Sequence, residues 1–390
     1  MIATVLKIGS ILAAAPVGVY ACFLGLVVNR YFQAHAVYLH AAQMTWFKDL
    51  DFPEMFGFLH NQVTPFSLTT TDGETLYAWH ILPTGLYYKH ESELLSESAG
   101  FASDITKRRG FELLRDDPEV VLILHFHGAG GTVGSGYRTP NYRALSAGKP
   151  DKIHVLTFDY RGFGRSTGSP TERGLLPDGI AAVEWVTKVA GIPPERIVLF
   201  AQSMGTAVAA AIMEHYALES PATVFRGTVM VAPFVDVPTL VATYRIAGTI
   251  PILGPLAKFP ALFSYLSTFI HDKWLTGDRI AQYVRANEAN GRKYRLTFVH
   301  AKDDFDVPWT HTPQLFWRAA SAAIPGGITF NELEVEKGSI RRDLGEGGTV
   351  VEWQTGNGII REEIVKYGLH DVIMGNSVVT VAVMRILDSN

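Results

Sequence analysis

Residues Ile197 to Ala210 limit what this chain can fold into more than any other stretch. An apolar, strand-forming run, Ile197-Val-Leu-Phe-Ala-Gln202, leads straight into Ser203-Met204-Gly205, and an alanine-rich run follows without a break. That order predicts a strand, a sharp turn and a helix, with the serine hydroxyl raised above the edge of a sheet. Small residues are needed around the serine because the turn brings the strand and helix backbones close together. Ala201 stands where glycine is usual and adds one methyl group. Read alone, Ala201–Gly205 is also compatible with a serine that merely begins a helix, so its weight depends on what accompanies it.

A second special turn lies earlier in the chain. Val120 to His125 reads as an apolar strand and runs into His127-Gly128-Ala129-Gly130-Gly131-Thr132. A turn of this kind lets backbone N–H groups point at a substrate oxygen, and the expected donors are the N–H groups of Ala129 and Met204. Losing one such donor typically raises a barrier by about 2.7–4 kcal/mol. A phosphate or dinucleotide loop fails on spacing: G-x-G-x-x-G counted from Gly128 puts Val133 at the third glycine, and no P-loop pattern occurs. His127 is expected to fix the turn by hydrogen bonds, and His125 to be a strand residue.

An acid and a base follow in order. Arg295 to Ala301 reads as a strand, and Lys-Asp303-Asp304-Phe-Asp306-Val307-Pro308 follows it. Asp304 is the expected acid because it stands four residues before the proline in an Asp-x-x-Val-Pro pattern. Asp303 and Asp306 read as solvated or turn-forming, and Asp236, after the strand run Gly227–Ala232, is a weaker alternative. Of thirteen histidines only His311 and His370 lie after Asp304. His311 begins a helix and is expected at the surface or as a cap, which leaves His370 as the base.

Each role answers a chemical need. A serine hydroxyl is a weak nucleophile until an imidazole accepts its proton. A carboxylate on the other ring nitrogen enforces the correct tautomer and stabilises the imidazolium. The order Ser203, Asp304, His370 differs from that of chymotrypsin or subtilisin. The chemistry requires no metal or cofactor, and neither HExxH nor a cluster with metal-ligand spacing occurs; the chain has one cysteine, Cys22.

With the two turns and the Asp-Asp-x-x-Val-Pro segment, the run Asp159-Tyr160-Arg161-Gly162-Phe163-Gly164-Arg165-Ser166 followed by Pro170-Thr-Glu-Arg-Gly174 resembles the serine α/β-hydrolases. Within them it is most similar to the membrane-anchored family of monoacylglycerol and lysophosphatidylserine lipases, especially fungal-looking members. The resemblance covers roughly Thr64 to the C-terminus. It implies an α/β fold, a mostly parallel sheet flanked by helices with an apolar cap. It also implies a lipid ester substrate. Departures are Ala201 in the elbow, Ala129 where the family often has asparagine, and Gln202 where relatives often have histidine. Neither alanine removes a backbone donor.

The remaining sequence agrees with one large domain on an anchor. The composition is 47% hydrophobic and 18% charged, enough for a large core, and the formal charge of −4 without a basic block argues against nucleic acid. Ile8 to Val28 carries no charge between Lys7 and Arg30, and its 21 residues at about 1.5 Å each reach about 31 Å, enough to span a hydrocarbon core. A cleaved signal peptide is the rival reading, with Ala34-His35-Ala36 as its site. The expected organisation is an anchor over 1–30, a connecting segment over 31–61 and a catalytic domain over 62–390. The cap occupies about 233–290, rich in leucine, phenylalanine and proline, with Ile246–Ile270 covering an acyl chain. Location in the endoplasmic reticulum or another endomembrane follows from the anchor and the resemblance.

Elsewhere, Val63–Thr70 and Glu74–Leu82 read as a hairpin around Asp72-Gly73, Thr84–Pro118 as a helix-prone surface insertion, Ile153–Phe158 as a strand and Gly174–Val189 as a helix. Thr329–Glu336 looks strand-like, and Gly326–Tyr367 reads as a surface extension that positions the His370 loop. The expected function is a membrane-anchored serine hydrolase of monoacylglycerols or lysophospholipids acting through an acyl-enzyme on Ser203. Protein depalmitoylase, small-ester esterase and peptidase activities are alternatives within the fold, and a non-catalytic membrane scaffold is the alternative class.

Overall fold

The computed structural model describes residues 2–246, 249–251 and 253–388, with backbone alone at 2–13, 246, 250 and 255. Its strands are β1 Val63–Thr69, β2 Thr75–Ile81, β3 Val121–Phe126, β4 Ile153–Phe158, β5 Ile197–Gln202, β6 Gly227–Val231, β7 Arg245–Ile246, β8 Ile250–Pro251, β9 Tyr294–Ala301, β10 Arg342–Asp343, β11 Thr349–Gln354 and β12 Gly358–Val365. Ten of them form one sheet in the order β1-β2-β4-β3-β5-β6-β9-β12-β11-β10, while β7 and β8 pair separately. From β4 to β12 every neighbouring pair is parallel. Both edges are antiparallel: β1 and β2 on one side, β11 and β10 on the other.

Parallel neighbours need crossovers, and the crossovers cover both faces of the sheet. This is why β3, β4, β5 and β6 are buried at every position and read as continuous apolar runs instead of alternating ones. The helices Arg138–Ser146 and Ser377–Asp388 close one face through Tyr142, Leu145, Val379 and Val383. On the other face lie Glu172–Glu184, Met204–Leu218, Thr276–Ala289 and His311–Ala323. The expected α/β architecture and the hairpin around Asp72-Gly73 are both present.

Four expectations are corrected. Thr329–Glu336 is not a strand: Phe330–Ile340 is a helix, because Thr329 and Glu332 form a reciprocal capping box that a tally of β-branched residues overlooks. The segment Gly326–Tyr367 is not merely a surface extension, since β12 lies in the sheet beside β9 with Ile360 and Ile364 in the core. Thr84–Pro118 is helical but not confined to the surface; Phe111 and Leu114 enter the main core, and the Phe111 ring meets Trp185 edge-on. Within the expected cap, Thr276–Ala289 packs Ile280, Tyr283 and Val284 into the core as a sheet-covering helix. The rest of the expected cap segment consists, among the described residues, of the helices Val237–Thr243, Gly254–Ala257 and Pro260–Ser267 and the β7–β8 ribbon. Of the expected lid Ile246–Ile270, residues 247, 248 and 252 lie outside the described residues.

At the N-terminus a helix runs over Ile2–Val27 and a second over Arg30–Tyr38. Asn29 separates them: its backbone is extended and its side chain accepts the N–H of Tyr31 at 2.9 Å, the geometry of an N-cap that starts a new helix. Among the described residues no single helix is long and apolar enough to cross a membrane. The pair Ala14–Val27 and Arg30–Tyr38 passes that test together by length and composition, bent by 95°. Side chains of 8–13 in the expected span Ile8–Val28 lie outside the described residues.

The Asp159–Ser166 loop has a structural explanation. Arg161, itself buried, joins Asp72 of the β1–β2 hairpin at 2.8 Å to the fully buried Asp178 at 2.7 Å. Burial pushes the Asp178 carboxyl up to about 6 despite the guanidinium. Arg161→Met leaves that carboxylate unpaired, and the expected cost is about 3–5 kcal/mol at pH 8. The loss shrinks toward pH 5, because a carboxyl whose folded pKa is raised is penalised only while ionised. Urea unfolding at the two pH values measures both effects.

Candidate active site

Ser203 sits between β5 and the helix Met204–Leu218 with φ 53° and ψ −123°. A non-glycine residue in this region typically stores about 1–3 kcal/mol, so the surroundings must hold it there. Its N–H donates to the Val231 carbonyl of β6 at 2.9 Å, and its carbonyl accepts the Thr206 hydroxyl at 2.6 Å. Gly205 is obligatory on steric grounds, since a Cβ would stand 2.2 Å from the Phe126 carbonyl oxygen. Ala201, fully buried, accommodates its methyl in the core.

The expected acid and base meet the serine. His370 Nε2 lies 2.9 Å from Ser203 Oγ and His370 Nδ1 2.7 Å from Asp304 Oδ2. Asp304 is further held by the N–H groups of Asp306 and Val307, both 2.9 Å from Oδ1, and by His300 Nε2 at 3.2 Å from Oδ2. Because His300 Nε2 faces two acceptors, Asp304 Oδ2 and the Val307 carbonyl at 2.9 Å, it carries the proton, and its Nδ1 accepts the Thr312 hydroxyl. Asp304 Oδ2 is an acceptor toward His370 too, so His370 is protonated at Nδ1 and presents a lone pair at Nε2 to Ser203.

Electrostatics follow from these contacts. Burial would raise the Asp304 carboxyl, but the hydrogen bonds from His300 and His370 outweigh it and hold it below the usual carboxylate range. Burial would likewise lower His370, and the hydrogen bond and charge of Asp304 reverse that, leaving it above the usual histidine range. Asp304, Asp306 and His370 also offer ligand atoms within 4.8 Å of one another. A cation there would have to break the 2.7 Å bond between His370 and Asp304.

The glycine-rich turn follows β3 on the strand next to β5. Gly128 lies against the elbow: a Cβ there would stand 3.2 Å from Ser203 Cβ and 2.3 Å from Gln202 Oε1. Among the described residues the N–H groups of Ala129 and Met204 donate to no protein acceptor. His127 is buried, with Nδ1 2.8 Å from the Gly128 carbonyl oxygen and Nε2 3.6 Å from Asp159, whose carboxyl burial pushes up to about 7. His125 is a buried strand residue hydrogen-bonded to Asn141 at 3.0 Å.

The competing residues do other things. Asp303 Oδ1 accepts the N–H groups of Gly368 and Leu369 at 2.9 and 2.8 Å, which fastens the loop carrying His370 to the loop carrying Asp304. Asp236 caps the helix Val237–Thr243 through the Thr239 N–H. His311 begins a helix as expected but is buried instead of exposed. Val235 N–H donates to its Nδ1 at 3.3 Å, and burial lowers it to about 4. Gln202 reaches under the histidine loop, donating to Asp371 at 3.2 Å. Two neighbours of the site escaped the sequence reading: His300, four residues before Asp304 on the strand, and Arg138, ten residues after Gly128. Only the i,i+4 spacing of His300 offers a local signal.

The sequence profile of the alpha/beta hydrolase family matches residues 120–337. That range holds the glycine-rich turn, Ser203 and Asp304, and ends before His370. Lysophosphatidylserine lipase ABHD12 of Danio rerio is 25% identical over 294 residues, which cover 74% of this chain and 67% of the relative. The Gallus gallus protein of the same name is 26% identical over 325 residues, covering 80% and 72%. YfhR of Escherichia coli O157:H7, an uncharacterized protein, is 26% identical over 258 residues, covering 64% and 78%. Among solved structures, an alpha-beta hydrolase from Vibrio vulnificus superposes with a TM-score of 0.54 at 13% identity over 91% of each chain, a likeness of fold alone.

Proposed function

Because this chain belongs to the alpha/beta hydrolase family, we propose that it is a membrane-anchored serine hydrolase that cleaves carboxylic esters of lipids, lysophospholipids or monoacylglycerols, through an acyl-enzyme on Ser203. The coarser statement, a hydrolase of the lipase and esterase type, rests on the family and its relatives together. The single observation that carries the finer one is the unbroken relay from Ser203 Oγ through His370 to Asp304, at 2.9 and 2.7 Å.

In this reading His370 Nε2 takes the Ser203 proton as Oγ attacks the ester carbonyl carbon. The carbonyl oxygen gains the electron pair and is met by the N–H groups of Ala129 and Met204. Collapse expels the alcohol, glycerol or a glycerophospho headgroup, which leaves with the proton from His370. Water then enters, gives its proton to His370, and releases the fatty acid from Ser203. The base form of His370 is required, and its pKa is raised, so turnover falls as pH drops through a value above the ordinary histidine range.

Substrate class and location draw on two further features. The cap begins directly after β6, at the same end of the sheet as Ser203, and presents Phe259, Leu262 and Tyr265 with 63, 44 and 63% of their surface exposed. An apolar cover of this kind suits an acyl chain. The exposed Val17, Val19 and Leu26 of the N-terminal helix suit a bilayer. Each buried methylene is worth about 0.8 kcal/mol, so kcat/KM should climb from short to long acyl esters until the pocket is full. Replacing Leu262 and Phe263 together by serine should flatten that profile without lowering turnover of short esters; an unchanged profile removes the cap from the reading. The direct test is hydrolysis of lysophosphatidylserine and monoolein by the purified chain, with fluorophosphonate labelling of Ser203. Absence of labelling favours a non-catalytic scaffold.

A further inference from the structure

Arg138 is a buried cation, and among the described residues its hydrogen bonds go to carbonyl oxygens and to no carboxylate. It spends its guanidinium on carbonyl oxygens of the glycine-rich turn. Nη2 donates to Gly128 at 3.0 Å, Ala129 at 3.3 Å and Gly130 at 2.6 Å, and Nη1 donates to Thr132. Fixing the carbonyl of Gly128 fixes the peptide plane that it shares with the N–H of Ala129.

The opposite side of the turn is held by the segment that follows the N-terminal helices. Gly130 N–H donates to the Tyr38 carbonyl at 2.8 Å and Gly131 N–H to the Ala42 carbonyl at 2.6 Å. Both glycines have positive φ, 65° and 68°, which aims these N–H groups outward. Thr132 N–H donates to Ser135 Oγ at 2.8 Å, and that hydroxyl donates to the Gln43 carbonyl at 2.8 Å. Tyr38 cannot drift: it is fully buried, and its hydroxyl donates to Asp272 at 2.8 Å and accepts from Trp274 Nε1 at 3.2 Å. Of the consecutive N–H groups 129 to 132, only that of Ala129 is left without an acceptor among the described residues.

We infer that Arg138 and the segment Tyr38–Gln43 are positioning elements that clamp the glycine-rich turn from its two sides and so single out the Ala129 N–H as an oxyanion donor. The inference rests on the serine-hydrolase reading of Ser203. It makes residues 38–43, expected as part of a connecting segment, a working part of the site, and joins the N-terminal helices to the oxyanion turn by hydrogen bonds.

The test uses the full-length chain with p-nitrophenyl butyrate, and with a trifluoromethyl ketone as a mimic of the tetrahedral adduct. Arg138→Met should lower kcat by about 100-fold or more, as loss of an oxyanion donor does, with KM nearly unchanged. The ketone should lose affinity in parallel with kcat/KM, and Arg138→Lys should recover part of both. Ser135→Ala, which cuts the tie to Gln43, should show the same split at roughly tenfold and decides the matter if Arg138→Met does not fold. Folded variants with parental kcat, or a fall in kcat without weaker ketone binding, overturn the inference. Parental turnover in Ser203→Ala instead overturns the serine-hydrolase reading beneath it.

Discussion

Ser203→Ala and His370→Ala are each expected to lower kcat by about 10⁶-fold while the protein stays folded, and the double variant should be no worse than either single one. Non-additivity is the informative part. With Ser203 Oγ and His370 Nε2 2.9 Å apart, the proposed mechanism makes the hydroxyl a nucleophile only while that nitrogen can take its proton, so removing either partner removes the same step. Alanine at 203 keeps the positive φ and the backbone bond to Val231, and the melting temperature should shift little. Near-parental turnover in His370→Ala would mean that another group serves as base. Turnover of p-nitrophenyl esters and circular dichroism on the same preparations measure rate and fold together.

Asp304→Asn is expected to cost about 10⁴-fold in kcat, and the geometry says why. Oδ1 accepts two backbone N–H groups, from Asp306 and Val307, and an amide must put its oxygen there. The NH₂ group then faces His370 Nδ1 and the N–H of His300, where the carboxylate oxygen had accepted from both. His370 is forced to carry its proton on Nε2, and it meets Ser203 as a donor instead of an acceptor. Since Asp304 is what raises His370, the residual activity should lose its acid limb at lower pH than the parent does. Asp303→Asn makes the internal control. Its side-chain oxygen still accepts the N–H groups of Gly368 and Leu369, and kcat should stay within about threefold. A severe loss at 303 and a mild one at 304 would exchange their roles.

Much of this architecture is legible without coordinates because it is built from local rules. An apolar run, then a serine and a glycine, then an alanine-rich run spell out a strand, a sharp turn and a helix, and the run before Gly128 likewise spells out a strand ending in a turn. The Asp-x-x-Val-Pro spacing picked out Asp304, the carboxylate that the fold brings to His370. Where local rules conflicted, the reading failed. The run Thr329–Glu336 looks strand-like, yet one reciprocal cap between Thr329 and Glu332 sufficed to start a helix.

What the sequence by itself determined is the set of local shapes: the elbow at Ser203, the glycine-rich turn at Gly128–Thr132, the apolar strands and the acid loop. Tertiary structure alone decided which of them meet. His370 is 167 residues from Ser203 and 66 from Asp304, and it reaches both because β12 pairs in parallel with β9, a register that no short window contains. The same holds for Arg138, whose spacing from Gly128 carries no periodic signal, and for Tyr38 and Ala42, whose contribution is a backbone carbonyl that any residue could supply. Steric and capping preferences act over a few residues and are written in side-chain type. Hydrogen bonds between backbone atoms of distant segments depend on the packing of the whole chain and leave no mark on residue identity.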